Sequence, residues 1–91
     1  MIGMLAFSKA GHDRQTVYMI IKEDAEYVYL SDGRLKTVER PKKKNKKHIQ
    51  PIKQGMDEAI TEKLKQQIPV RNEEVKKVIK DFIRKKEASD V

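Results

Sequence analysis

The first part of the chain alternates short apolar runs with polar turns, a pattern that predicts β-strands. The predicted strands are Met4–Ser8, Thr16–Lys22, Tyr27–Leu30, Leu35–Glu39 and a short closing strand at His48–Ile52. The Asp32-Gly33 pair predicts a hairpin turn before the fourth strand, because such turns need a positive φ. Four or five short strands in so short a segment favour a small barrel over a sandwich.

The second predicted strand is apolar on both of its faces. Val17, Met19 and Ile21 fall on one face, while Tyr18 and Ile20 fall on the other. A strand that is covered on both sides belongs to a closed or nearly closed sheet.

The apolar period changes after Gly55. Ile60, Leu64 and Ile68 are spaced by four, which predicts a helix that begins near Met56 and ends at Pro69. A second helix is predicted from the N-cap Asn72, because its apolar positions follow the helical rule: Val75, Val78, Ile79, Phe82 and Ile83. Both stripes are interpreted as packing faces, although the second could be an open face for a partner protein. The domains are predicted as a barrel over 1–54 and a two-helix extension over 55–91 that packs on it.

Composition narrows the class of protein. The 91 residues carry a net charge of +7, with 37% apolar and 38% charged residues. Residues 1–54 hold 12 Lys+Arg against 6 Asp+Glu, so the positive excess lies in the predicted barrel. The absence of cysteine excludes disulfides, thiolate chemistry and cysteine-based zinc sites. With no long apolar run and no charged leader, the chain is expected to be a cytoplasmic protein without a membrane partner.

The densest chemical feature is the basic run Arg40–His48, which follows the fourth predicted strand and is expected to be a loop. Its candidate RNA-binding residues are Arg40, Lys42, Lys43, Lys44, Lys46, Lys47 and His48. Closely spaced cations repel one another and are stabilised by a polyphosphate backbone. A lysine is a point charge, so the run is expected to bind backbone more than to read bases. The alternative is a solvated loop that keeps the domain soluble, and His48 could instead be wedged beside the closing strand.

Other residues could extend this surface. Lys9, His12 and Arg14 lie in the first predicted loop, and Arg34 lies in the hairpin turn. They either join the basic patch or are ordinary exposed turn residues. Tyr18, Tyr27 and Tyr29 could stack on bases, although barrel tyrosines are more often core residues with the hydroxyl at the rim.

No catalytic or metal site is predicted. Ser8, His12 and Asp13 are triad residue types, but they cluster around one loop with no evident oxyanion site. The histidines and carboxylates show no metal-ligand spacing. An enzyme, a cofactor and a small-molecule substrate are therefore not expected.

Three segments carry a resemblance to a known family: AGHD at 10–13, YLSDGRLKTVERPKKKNKKH at 29–48 and NEEVKKVIKDFI at 72–83. Together they resemble the small bacterial KOW-domain RNA-binding proteins, relatives of archaeal and eukaryotic large-subunit ribosomal proteins. In those ribosomal relatives a basic run leads into an Asn-x-x-His-apolar-x-Pro signature, which Asn45, His48, Ile49 and Pro51 match. The chain departs from the family at Gln15, where a glycine commonly follows a basic residue.

The resemblance implies a KOW-type SH3-like β-barrel, RNA binding and no catalysis. The expected fold is therefore mainly β with C-terminal α, a small SH3-like barrel followed by two helices. The expected partner is RNA, most plausibly ribosomal RNA, with association to the large ribosomal subunit. The alternative is a protein-interaction module that docks a translation or transcription factor through the barrel or the second helix.

Overall fold

The computed structural model describes residues 1–9 and 16–89 and confirms a mainly β domain with two C-terminal helices. The strands are β1 (Leu5–Ser8), β2 (Val17–Glu23), β3 (Tyr27–Ser31), β4 (Lys42–Asn45) and β5 (Ile49–Ile52). A 3-10 turn (Lys46–His48) joins β4 to β5, and the helices are α1 (Glu58–Lys65) and α2 (Asn72–Ser89). The candidate residues His12 and Arg14 lie outside the described residues.

The five strands form one antiparallel sheet in the order β4-β3-β2-β1-β5. Since every neighbouring pair is antiparallel, β4 and β5 run in the same direction at opposite edges of the sheet. A single 3-10 turn, which rises by only ~2 Å per residue, is too short to carry the chain back along a strand. The sheet must therefore curl until β5 continues from the end of β4, which gives a barrel-like domain.

Both faces of the sheet are buried at β1 and β2, as the pattern in β2 predicts. Tyr18 and Ile20 point into a core inside the curled sheet, together with residues of every other strand except β4: Ala6, Val28, Leu30 and Ile49. Val17 and Met19 point outward, into a second core shared with the helices: Leu5, Ile60, Val70, Val75, Val78, Ile79 and Phe82. The helices thus cover the outer face of the sheet at β1 and β2, whereas the outer residues of β3 and β4 lie outside this core.

The apolar stripes of the helices are packing faces. Asp57 caps α1, because its carboxylate accepts a hydrogen bond of 2.9 Å from the Ile60 amide. The observed α1 is shorter than its predicted span, and Ile68 lies beyond its end with 45% of its surface exposed. In α2, Val75, Val78, Ile79 and Phe82 are buried in the core shared with the sheet, whereas Ile83 of the same predicted stripe has 39% of its surface exposed.

The prediction of a strand at Leu35–Glu39 is wrong, since these residues belong to the loop between β3 and β4. The main chain turns back on itself there: the Asp32 carboxylate accepts from the amides of Arg34 and Lys36 at 2.9 Å each. Gly33, with φ of 74°, packs so closely on the start of α2 that a Cβ would lie 2.5 Å from the Asn72 carbonyl oxygen. These local bonds and the contact with α2 replace the hairpin ladder that the sequence pattern suggests.

Candidate nucleic-acid interface

The basic run is not a loop, because four of its residues form the edge strand β4. In the antiparallel register with β3, Lys42 pairs with Leu30, Lys43 with Tyr29 and Lys44 with Val28. Pro41 immediately precedes the strand, a position that costs no hydrogen bond of the ladder. Pairing with β3 therefore overrides the low β-propensity of lysine.

The period of the strand sends neighbouring lysines to opposite sides of the sheet. Lys42 lies on the side of the inner core, with its Nζ 5.8 Å from the centroid of the buried Tyr18 ring. Lys43 lies on the outer side, with its Nζ 4.3 Å from the centroid of the Tyr27 ring. The run is thus divided between two surfaces, and Tyr18 is a core residue that no base can reach.

The 3-10 turn holds the end of the basic run in a fixed conformation. The Asn45 side chain caps the turn by accepting a hydrogen bond of 2.9 Å from the Lys47 amide. The Lys9 amide donates to the His48 carbonyl oxygen at 2.8 Å. Lys9, Lys47 and His48 are all exposed, so the structure brings these three candidate residues together at one corner of the barrel.

Lys46 differs from its neighbours because it has an acidic partner. Its Nζ lies 3.0 Å from a carboxylate oxygen of Glu23, whose other oxygen accepts from the amino group of Met1 at 2.6 Å. The hydrogen bonds from Met1 and then from Lys46 lower the pKa of Glu23 below its ordinary value. Lys46 is therefore less available to phosphate than the sequence suggests.

The turn between β2 and β3 is the acidic end of this surface. The Asp24 carboxylate accepts hydrogen bonds from the amides of Tyr27 at 2.8 Å and Glu26 at 3.0 Å. The bond from Tyr27 is the main cause of a lowered pKa at Asp24. The positive charges of Lys43 and Lys46 contribute to the same lowering of the pKa, so both cations lie near the acidic turn and partly offset its negative charge.

Arg34 and Arg40 are exposed in the long loop that leads into β4. Arg40 is two residues from the strand, and its amide donates to the Thr37 carbonyl oxygen at 3.1 Å. Arg34 is held in the turn that packs on the start of α2. Along the chain these two arginines precede the lysine strand, whereas Lys47 and His48 follow it.

Sequence reasoning missed Lys22 as part of this surface. A β-bulge at Ile21 shifts the register of β2, so that Lys22 pairs with Tyr29. Its Nζ lies 5.3 Å from the centroid of the Tyr29 ring. The sequence pattern does not predict the bulge. The alternation in YVYL does predict that Tyr27 and Tyr29 lie on one face of β3 and the buried Val28 and Leu30 on the other.

The fold and this surface define a small barrel-like domain with a cationic edge strand. A scan against protein-family models finds no family that matches, and a search of curated proteins finds no match either. The KOW resemblance therefore stays an expectation based on its motif residues. Among the described residues no helix is long and apolar enough to cross a bilayer.

Proposed function

We propose that this chain is a non-catalytic RNA-binding protein of the cytoplasm, and that its binding surface runs along β4 and the 3-10 turn. The supporting observation is that the cations of the basic run stand on an ordered strand and a capped turn, not on a free loop. A fixed array loses less conformational entropy when it binds a polyanion than a mobile tail does. Ribosomal RNA and association with the large subunit are the proposed target, as the KOW resemblance implies.

The charges on this surface support binding to phosphate. Within the part of the chain that the structure describes, five residues of the basic run make no ion pair with a carboxylate within 4.0 Å: Arg40, Lys43, Lys44, Lys47 and His48. With about five phosphate contacts, the slope of log affinity against log salt is roughly −3.5 to −4.5. Affinity should fall on the order of 10²-fold between ~50 and ~200 mM salt.

The alternative of a protein-interaction module through α2 has lost its main support. That alternative needs the stripe of α2 to be exposed, yet Val78 and Phe82 are buried against the sheet. A substitution at either position would test the fold and not a docking face. RNA binding is the candidate that the exposed charges favour.

The test compares two triple variants that lose the same charge. R40Q/K43Q/K47Q removes exposed cations beside and on β4, while K77Q/K80Q/R84Q removes exposed cations of α2. Lys42 and Lys46 are left unchanged, because Lys42 contacts Tyr18 and Lys46 pairs with Glu23. Binding to a labelled, structured ribosomal RNA fragment is followed by anisotropy from low to high salt.

The first variant should weaken binding by about 10- to 100-fold at low salt and reduce the magnitude of the salt slope by roughly 2 to 3. The second should change affinity by less than about 3-fold. Equal losses in both variants would mean that net charge alone drives binding, and no loss in the first would reject the proposed surface. Circular dichroism confirms that both variants fold.

A further inference from the structure

Two tyrosines share the outer face of β3. Tyr27 and Tyr29 are half-buried, and neither belongs to the two apolar cores. Residues two apart on a strand point to the same side, about 6.5–7 Å apart along it. Their rings therefore stand next to each other on the side of the sheet that carries Met19, although neither ring belongs to the core that Met19 shares with the helices.

A lysine accompanies each ring. Lys43 reaches diagonally from β4 to lie over Tyr27, and Lys22 reaches from β2 to lie over Tyr29. A cation over an exposed aromatic face is held only weakly, because water competes for its charge. Each lysine can therefore move from its tyrosine ring to bind a phosphate, and an RNA base can then stack on the ring that the lysine has left.

We propose that this outer face of β3, formed by Tyr27 and Tyr29 with Lys22 and Lys43 at its sides, stacks two unpaired bases of RNA. Paired bases expose only their edges, so two neighbouring aromatic rings on a sheet select bases that have left the stack. Aromatic rings accept any base, because every base has a π face. The inference rests on the proposed RNA-binding function and adds that the target is a single-stranded segment of the RNA.

The charges around the rings set the position of the RNA backbone. The carboxylate of Glu23 is engaged by Met1 and Lys46, and that of Asp24 accepts from the amide of Tyr27 and is also stabilised by the positive charges of Lys43 and Lys46. Phosphates are attracted to Lys22 and Lys43, which flank the rings. The bases then lie over β3 while the backbone passes these two lysines.

The experiment uses four ligands of equal length: a single-stranded RNA, the same strand with abasic residues, the paired RNA duplex, and single-stranded DNA of the same sequence. Y27L/Y29L removes both rings and keeps apolar cover, while Y27F/Y29F is the matched control that keeps the rings. Each protein is titrated by anisotropy over a range of salt. Because the chain has three tyrosines and no tryptophan, stacking also quenches its tyrosine fluorescence.

The wild type and Y27F/Y29F should bind the single-stranded RNA at least about 10-fold more tightly than the abasic strand. Tyrosine fluorescence should be quenched only in the wild type, because Y27F/Y29F keeps only the buried Tyr18. Y27L/Y29L should lose at least about 10-fold on the single-stranded RNA, with little change on the abasic strand and an unchanged salt slope. Equal affinity of wild type and Y27L/Y29L for the single-stranded RNA would overturn the stacking surface. Tighter binding to DNA than to RNA would overturn the assignment to RNA.

The failure of this inference can be told apart from failure of the proposed function. If wild-type protein binds duplex and single-stranded RNA alike and Y27L/Y29L changes neither, the basic strand still binds RNA and only the stacking surface is rejected. If wild-type protein binds none of the ligands at low salt, both are rejected. Thermal unfolding of Y27L/Y29L, compared with Y27F/Y29F, shows whether a loss of affinity reflects a loss of fold.

Discussion

The Val38 amide donates a hydrogen bond of 2.8 Å to Oδ1 of Asn72, which joins the loop before β4 to the first residue of α2. The Nδ2 group of the same side chain donates to Glu39 at 2.9 Å. Asn72 is thus the first helical residue and not the predicted N-cap, because the amides of Glu74 and Val75 donate to the Arg71 carbonyl oxygen. Its side chain instead fixes the loop that leads into the lysine strand.

Replacement of Asn72 by alanine should lower the free energy of unfolding by about 1–2 kcal/mol, since it leaves the partly buried Val38 amide without its acceptor. Urea unfolding measures the change, with K77A on the exposed face of α2 as control. N72D keeps an oxygen that can accept from the Val38 amide. At low pH, where its carboxyl group is not repelled by Glu39, N72D should lose less stability than N72A. A loss in K77A as large as that in N72A would contradict this role of the loop contact.

Thr61 presents an opportunity to stabilise the fold. Its Oγ1 atom is buried without a hydrogen-bond partner among the described residues, where the Gly3 main chain packs against the side chain. T61V keeps the shape and removes the unsatisfied hydroxyl, so the free energy of unfolding should rise by up to ~1 kcal/mol. T61S keeps the hydroxyl, loses the methyl group and should be less stable than wild type. Denaturant midpoints that rank T61S above T61V would refute the explanation.

Acid should weaken the corner where Glu23 joins Met1 and Lys46. The pKa of Glu23 in the folded protein lies below its ordinary value of 4.5, so its carboxylate stabilises the fold above that pH. This contribution is lost as the pH falls through the lowered pKa. Unfolding midpoints between about pH 6 and pH 3 should therefore fall more steeply for wild type than for E23Q, which should also be less stable at neutral pH. E87Q, near the exposed end of α2, should keep the wild-type pH profile, and a wild-type profile in E23Q would count against the ion pair.

The elements that the sequence predicts correctly are those whose side chains face a core. The two faces of β2 and the stripe of α2 follow the periods of a covered strand and a packed helix, and both are buried as expected except for Ile83 at the end of the stripe. The sequence pattern alone predicts these elements because every second residue of a strand, and every third or fourth residue of a helix, faces the core and is apolar.

The lysine strand could not be predicted in this way. A run of identical charged residues has no period, and its partner β3 holds it through main-chain bonds that any side chain permits. The loop before it depends on Asn72, which lies 34 residues from Val38. The candidate residues were therefore found from charge alone, while their division between two faces required the fold.

The lysines of β4 also have a role that does not involve RNA. In the strand order β4 is an edge strand, and among the described residues only β3 pairs with it, so its other edge has no partner strand. An edge with open main-chain groups is a template for pairing between molecules, and lysine is a common means of preventing it.

K43Q/K44Q should therefore increase self-association, and high salt should do the same to wild type by screening repulsion. Sedimentation velocity over a range of concentrations measures this, with K77Q/K80Q as the control of equal charge. If the lysines prevent edge pairing, dimers or larger species should form only in K43Q/K44Q. Equal self-association of both variants would mean that net charge, and not the lysines at the edge, keeps the protein monomeric.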